Sequence, residues 1–166
     1  MKKLSKVLLA LMASAAAVFV ASSFVSCSDD SDDDGASTVA VYKDTEDGTE
    51  TVTFYSDKTF KVHVNGEESE AGFKMVFDFD AMTGTYTGAP ESDGDVVLTI
   101  AKAVNEDAIS ESAIMQKVMT AAQAGKTSVT FTNADYPLEN VGNAEPVTLT
   151  VANGLVTFDG TEYKRQ

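Results

Sequence analysis

Thr51-Val-Thr-Phe-Tyr-Ser-Asp-Lys-Thr-Phe-Lys-Val-His-Val-Asn65 decides the fold class. Val52 and Phe54 fall on one face of the first half, Thr51, Thr53 and Tyr55 on the other. After Ser56-Asp57-Lys58, the residues Phe60, Val62 and Val64 alternate with Lys61, His63 and Asn65. A period of two marks a half-buried strand, because successive side chains leave a pleated chain on opposite faces. Two such runs across a short polar link predict a β-hairpin.

The same grammar continues downstream. Phe73, Met75, Phe77 and Phe79 alternate with Lys74, Val76, Asp78 and Asp80. GTYTG (84–88) and a Pro90…Asp93-Gly94 turn lead into DVVLTI (95–100), with Val96, Leu98 and Ile100 on one face. Val129 and Phe131 mark a short strand, and Val147, Leu149 and Val151 another. Asn153-Gly154 then turns the chain into LVTFD (155–159); Asn-Gly between alternating runs is the strongest short-range hairpin signal. With a first strand at Thr38–Lys43, the chain is expected to carry eight or nine strands.

One segment breaks the period. Between Asn105 and Ala124, Ile109, Ile114, Val118 and Ala121, flanked by Met115 and Met119, form a helical stripe. Asn105 suits the N-cap, Glu106 and Asp107 the first turn, and Gly125 the left-handed stop. The helix is expected to cover an open end or edge of the sheet; a lid or plug is the other reading.

These runs predict a mainly β fold: an antiparallel meander closing into a barrel, or packing as a sandwich, of about eight strands with one covering helix. An outer-membrane barrel shows the same alternation inside out, but its strands need about 9 to 11 residues, and most of these are shorter. The seven phenylalanines beyond residue 27 (Phe54, Phe60, Phe73, Phe77, Phe79, Phe131 and Phe158) all fall on the apolar side. They are the candidate lining of an interior cavity. An eight-stranded barrel either fills its interior with side chains or holds one small ligand, and both readings stand at this point.

The amino terminus reads differently. Lys2, Lys3 and Lys6 precede an apolar and small run, Val7–Val25, with no acid before Cys27. That pattern predicts a cleaved secretory signal over residues 1–26; a retained membrane span is the rival, since the run approaches the length needed to cross. The chain has 166 residues and a formal charge of −14. Without those three lysines, 9 basic residues stand against 26 acidic ones, or −17, and five of the acids lie in Ser28–Asp34. So acidic a chain repels phosphate backbones and anionic headgroups, which excludes nucleic acid as an expected partner. Cys27 is the sole cysteine and has no internal partner for a disulfide.

Phe24-Val25-Ser26-Cys27, following that apolar run, resembles the box that ends the signal of a bacterial lipoprotein precursor. The resemblance implies that Cys27 becomes the first residue, carrying a diacylglyceryl thioether and an acylated amino terminus of the palmitate type. Two or more chains anchor firmly, at about 0.8 kcal/mol per buried methylene. The acidic run within residues 27–37 is expected to stay extended as a tether. It resembles the signals that send some Gram-negative lipoproteins to the outer face of the outer membrane, and a periplasm-facing anchor is the alternative. The domain at 38–166, through TVTFYSDKTF (51–60), GTYTG with DGDVVLTI (84–100) and VTFDGTEYKRQ (156–166), resembles lipocalin-like meanders of small bacterial lipoproteins.

No residue set predicts catalysis. His63 is the sole histidine and is expected at the surface; there is no Gly-x-Ser-x-Gly elbow and no second histidine for a zinc pair. Asp78 with Asp80, and Glu91 with Asp93 and Asp95, are hard oxygen groups, but Met82 stands where a calcium loop needs its third ligand. Turn acids beside glycine are ordinary turn chemistry. The expectation is a membrane-anchored, noncatalytic β-domain, with no metal and no cofactor beyond the lipid on Cys27. It binds a small apolar ligand or a partner protein; a structural or adhesive module with a packed core is the alternative.

Overall fold

The computed structural model describes residues 36–70, 72–105, 111–142, 144–158 and 160–166. The expected signal, the tether up to residue 35, Cys27 and the helix start at 106–110 lie outside the described residues.

The domain is mainly β. Ten strands are described: β1 (Thr38–Asp44), β2 (Glu50–Tyr55), β3 (Thr59–Glu70), β4 (Phe73–Thr87), β5 (Gly94–Val104), β6 (Ser128–Phe131), β7 (Leu138–Asn140), β8 (Val147–Val151), β9 (Leu155–Phe158) and β10 (Thr161–Arg165). Helix α1 (Glu111–Gln123) separates β5 from β6. The hydrogen-bonded order is β7-β5-β4-β3-β2-β1-β10-β9, with β8 on the other stretch of β5. Every pairing is antiparallel except β6, which lies parallel to β4. The eight-strand antiparallel sheet curls into a half-barrel. Strands β8 and β9 meet at the Asn153-Gly154 turn and the Ala152–Leu155 bridge. Both turn residues have positive φ (55° and 73°), which is the type I′ geometry that Asn-Gly accepts at low cost.

Two expected strands, at 73–80 and 84–88, are one. The register runs His63↔Asp80 but Val62↔Met82, so Ala81 is the extra residue of a β-bulge. Before it the buried residues are Phe77 and Phe79; after it they are Met82 and Tyr86. The phase of the alternation changes while the face does not. Gly84 follows because β5 passes close by: a Cβ there would stand 2.2 Å from the Thr99 carbonyl oxygen.

The inward residues form two packed groups. The larger joins Tyr42, Phe54, Phe60, Tyr86, Leu98, Val156, Phe158 and Tyr163 with aliphatic neighbours from β1, β2, β3, β4, β5 and β8. Phe54 meets Tyr42 and Tyr86 edge-on, with ring centroids 6.0 and 5.0 Å apart. Each tyrosine of this larger group spends its hydroxyl on a partner: Tyr42 on the Pro90 carbonyl (2.5 Å), Tyr86 on the Tyr55 carbonyl (2.8 Å), Tyr163 on the Glu50 carboxylate (2.5 Å). A phenol can be buried at little cost only when its polar tip is satisfied. The smaller group lies along the far half of the β3–β4 hairpin. There Phe77 stacks on Phe131 at 5.3 Å and Phe79 on Tyr136 at 4.5 Å.

Helix α1 covers this second group with Ala121, which is buried, and with the half-buried Ile114 and Val118. It ends in a Schellman cap: the Gly125 N–H donates to the Ala122 carbonyl and the Lys126 N–H to the Ala121 carbonyl, with Gly125 at φ +73°. Asn105 donates its side-chain amide to Glu139. Among the described residues no helix is long and apolar enough to cross a membrane.

Candidate functional site

The seven phenylalanines proposed as a cavity lining separate. Phe54, Phe60 and Phe158 belong to the larger group, whereas Phe77 and Phe131 stack in the smaller one and Phe79 packs on Tyr136 beside them. Phe73 is half-buried at the head of β4. Phe54, Phe60, Phe79 and Phe131 are 2 % exposed or less, as are Tyr42, Tyr86 and Tyr163. The β4–β5 loop is tied to the larger group, with Pro90 buried. Arg165 donates to the Glu91 carbonyl, and the Asp93 carboxylate accepts the Asn153 N–H at 3.0 Å.

His63 is a half-buried hub on the outer face of β3. Its Nδ1 lies 2.9 Å from Asp80 Oδ1 and its Nε2 3.2 Å from Asp78 Oδ1. Lys61 Nζ stands 3.7 Å from the same Asp80 oxygen. The β3–β4 register sets this up, with His63 opposite Asp80 across the bulge. Burial pushes the Asp80 carboxyl up, but the hydrogen bond from His63 and the Lys61 charge outweigh it and hold the group below the usual carboxylate range. The two ring nitrogens face different carboxylates, so the arrangement bridges strands and does not aim the ring at a common centre. Of the other carboxylates singled out in the sequence, Asp93 accepts the Asn153 N–H and Asp95 the Thr150 hydroxyl, the latter at 2.7 Å.

The Asn133 side chain holds the bulge from behind. Its oxygen accepts the Asp80 N–H at 2.9 Å, and its amide donates to the Asp80 and Tyr136 carbonyls at 2.8 and 3.1 Å. Nothing in the local sequence distinguishes Asn133 from any other turn asparagine. Lys117 plays a matching part on α1. Its ammonium donates to both Asp135 oxygens (2.7 and 2.6 Å) and to the Thr130 carbonyl (2.8 Å), 5.0 Å from the Phe131 ring centroid. Burial, then the charges of Asp135 and Glu68, push the neighbouring Tyr136 hydroxyl up to about 12.

Between α1 and β6 lies an open groove of about 440 Å³. Ala121, Ala124 and Val129 form its apolar part, and Lys117 and Lys126 stand on its border. Sequence reading placed Ala121 on the buried stripe and Val129 in a strand, but the groove arises only when the parallel β6–β4 pairing brings β6 beside the helix. Periodicity carries no signal for that contact.

Compared with known proteins, the chain matches no family model, no curated protein and no solved structure.

Proposed function

We propose that the protein is a lipoprotein anchored in the outer membrane through lipid on Cys27, whose noncatalytic β-domain binds a partner protein on its outside. The observation that carries the reading is the larger core group. Side chains of the chain itself occupy the concave face, five of them aromatic and 2 % exposed or less. A small apolar ligand there would have to displace well-packed rings, and losing one buried Phe-sized contact set costs about 3–5 kcal/mol. A partner on the outer surface displaces only water. The box Phe24–Cys27 and the acidic run after it support the anchor and a domain held off the membrane.

Native mass spectrometry of the mature chain extracted from its own membranes tests this. The expected spectrum shows the acylated chain without a noncovalent small-molecule adduct, and mild cross-linking in intact cells adds a protein partner. A reproducible small adduct lost on denaturation would overturn the outside-binding reading. Cys27→Ser is expected to abolish acyl labelling and release the protein from membranes; continued labelling would overturn the anchor.

A further inference from the structure

Among the described residues, the outer edge of β6 has no strand beside it. Strand β6 pairs with β4 alone, through Lys74↔Ser128 to Phe77↔Phe131. The Lys74 N–H bonds to the Thr127 carbonyl at 2.8 Å, and alternate residues of a strand point their backbone groups to opposite sides. Ser128 and Thr130 therefore turn their N–H and C=O groups away from β4. The Thr130 carbonyl fits that account, since it accepts the Lys117 ammonium from across the groove. What remains for an incoming chain is the N–H and C=O of Ser128 and the N–H of Thr130.

The groove beside this edge has the width of small side chains, because α1 presents Ala121 and Ala124 to it. It is open to solvent, with a volume of about 440 Å³. Among the described residues no acid lines it, on a chain with 26 acidic residues. Lys117 is neutralised by Asp135, so Lys126 supplies the net charge. The Schellman cap occupies the Ala121 and Ala122 carbonyls, which removes two acceptors that would repel an anion near Lys126. The acidic surface elsewhere repels anions too, but beyond about 8–10 Å salt screens it at physiological strength.

We propose that this groove takes a short extended peptide, which adds as a strand to the outer edge of β6 and sets an acidic side chain on Lys126. Backbone pairing with Ser128 and Thr130 gives affinity, the alanine floor admits a Val-sized side chain, and the carboxylate fixes register. Lys117 crosses to Thr130 and limits the added strand to about the length of β6. The inference rests on the partner-binding reading and names the surface and the chemistry of that partner.

The test uses the full mature chain in detergent micelles and the pentapeptide Thr-Val-Thr-Asp-Thr-amide with fluorescein on its amino terminus, read by anisotropy; Val and Asp, two positions apart, face the same side of an added strand. Saturable binding is expected, at least 5-fold weaker for the peptide with Asn in place of Asp. Lys126→Ala should cost the Asp peptide at least 5-fold and the Asn peptide less than 2-fold. Ser128→Pro removes an N–H that β4 does not use, and should abolish binding of both peptides while circular dichroism stays unchanged. Ala124→Leu, which fills the groove, keeps the proposal testable if the proline variant fails to fold, and should also abolish binding. No saturation by 5 mM peptide, or binding indifferent to Ser128→Pro and Ala124→Leu, overturns the proposal. So does decanoate binding that depends on Lys126 but not on Ser128, which would make the occupant an amphiphile. Partner cross-linking that survives Ala124→Leu would refute the groove and leave the partner-binding reading standing.

Discussion

Asp44 is the residue whose charge the fold resists. It closes β1 beside the turn that carries Asp47 and leads to Glu50. Burial first, then a hydrogen bond with Asp47 and the Asp47 and Glu50 charges, raise its carboxyl to about 6, against the pull of the Glu46 N–H. Asp47 moves the other way: burial is outweighed by hydrogen bonds from Asp44 and Thr49, and its carboxyl sits low. A raised carboxyl contributes stability that is complete below its unfolded value, near 4, and is lost as pH climbs through about 6. The lowered Asp47 contributes above its unfolded value and loses that contribution in acid. Between pH 4 and 6 the change therefore belongs to Asp44. Asp44→Asn keeps an oxygen for the Glu46 N–H and cannot ionise. It is expected to stabilise the domain above pH 6, by about 1 kcal/mol once solvent screening of a half-buried group is allowed for, and to be neutral at pH 4. Urea midpoints of both proteins at pH 4, 5, 6 and 7 check this; a pH-independent difference would sink it. None of this was legible in DTEDGTE (44–50), which reads only as an acidic turn, because the coupling depends on which carboxylates the turn folds together.

At the scale of elements, the strands announced themselves and their connections did not. Alternation located β2, β3, β5, β8 and β9, and Asn153-Gly154 named its own turn, because a period of two and positive-φ chemistry are local properties. The bulge at Ala81 split β4 in the reading because it shifts the phase of burial by one residue. Strand β7, three residues long, offered too few positions for any period, and the Tyr163 of β10 is flanked by Glu162 and Lys164 with no second buried neighbour to set a pattern. The contact that holds the bulge comes from Asn133, 53 residues from Asp80, and no local rule reaches that far. Asn133→Ala leaves the half-buried Asp80 amide and carbonyl without their partners, which is expected to cost about 1–3 kcal/mol. Asn133→Asp keeps the acceptor, loses the donors and adds a negative charge beside Asp80, and should cost more than the alanine. Denaturant midpoints followed by tyrosine near-UV circular dichroism rank the two; a milder effect for aspartate than for alanine would mean that the donors to Asp80 and Tyr136 carry nothing.

For the whole molecule, the question is which electrostatic effect dominates. Ion pairs stabilise and salt weakens them; like charge destabilises and salt relieves it. The ion pairs here are partly exposed: Lys74–Glu67 at 43 % and 54 %, Lys117–Asp135 at 37 % and 24 %, Lys61–Asp80 at 29 % and 27 %. Exposed pairs contribute about 0–1 kcal/mol each, so the three together reach about 1–2 kcal/mol. Against them stands an excess of about 12 negative charges on the domain, left by the sequence charge of −14 once the amino-terminal segment is set aside. Two unit charges 10 Å apart in water repel by about 0.4 kcal/mol, and a net excess of about a dozen negative charges on one small domain makes many such pairs. Repulsion therefore outweighs attraction. Raising NaCl from 10 to 300 mM, which contracts the screening length from about 30 Å to below 8 Å, is expected to raise the melting temperature by several degrees. Because sulfate also strengthens apolar burial, chloride is the salt to use. A melting temperature that falls with NaCl would mean that the ion pairs, with the His63 hub among them, hold the domain more than its acidic surface strains it.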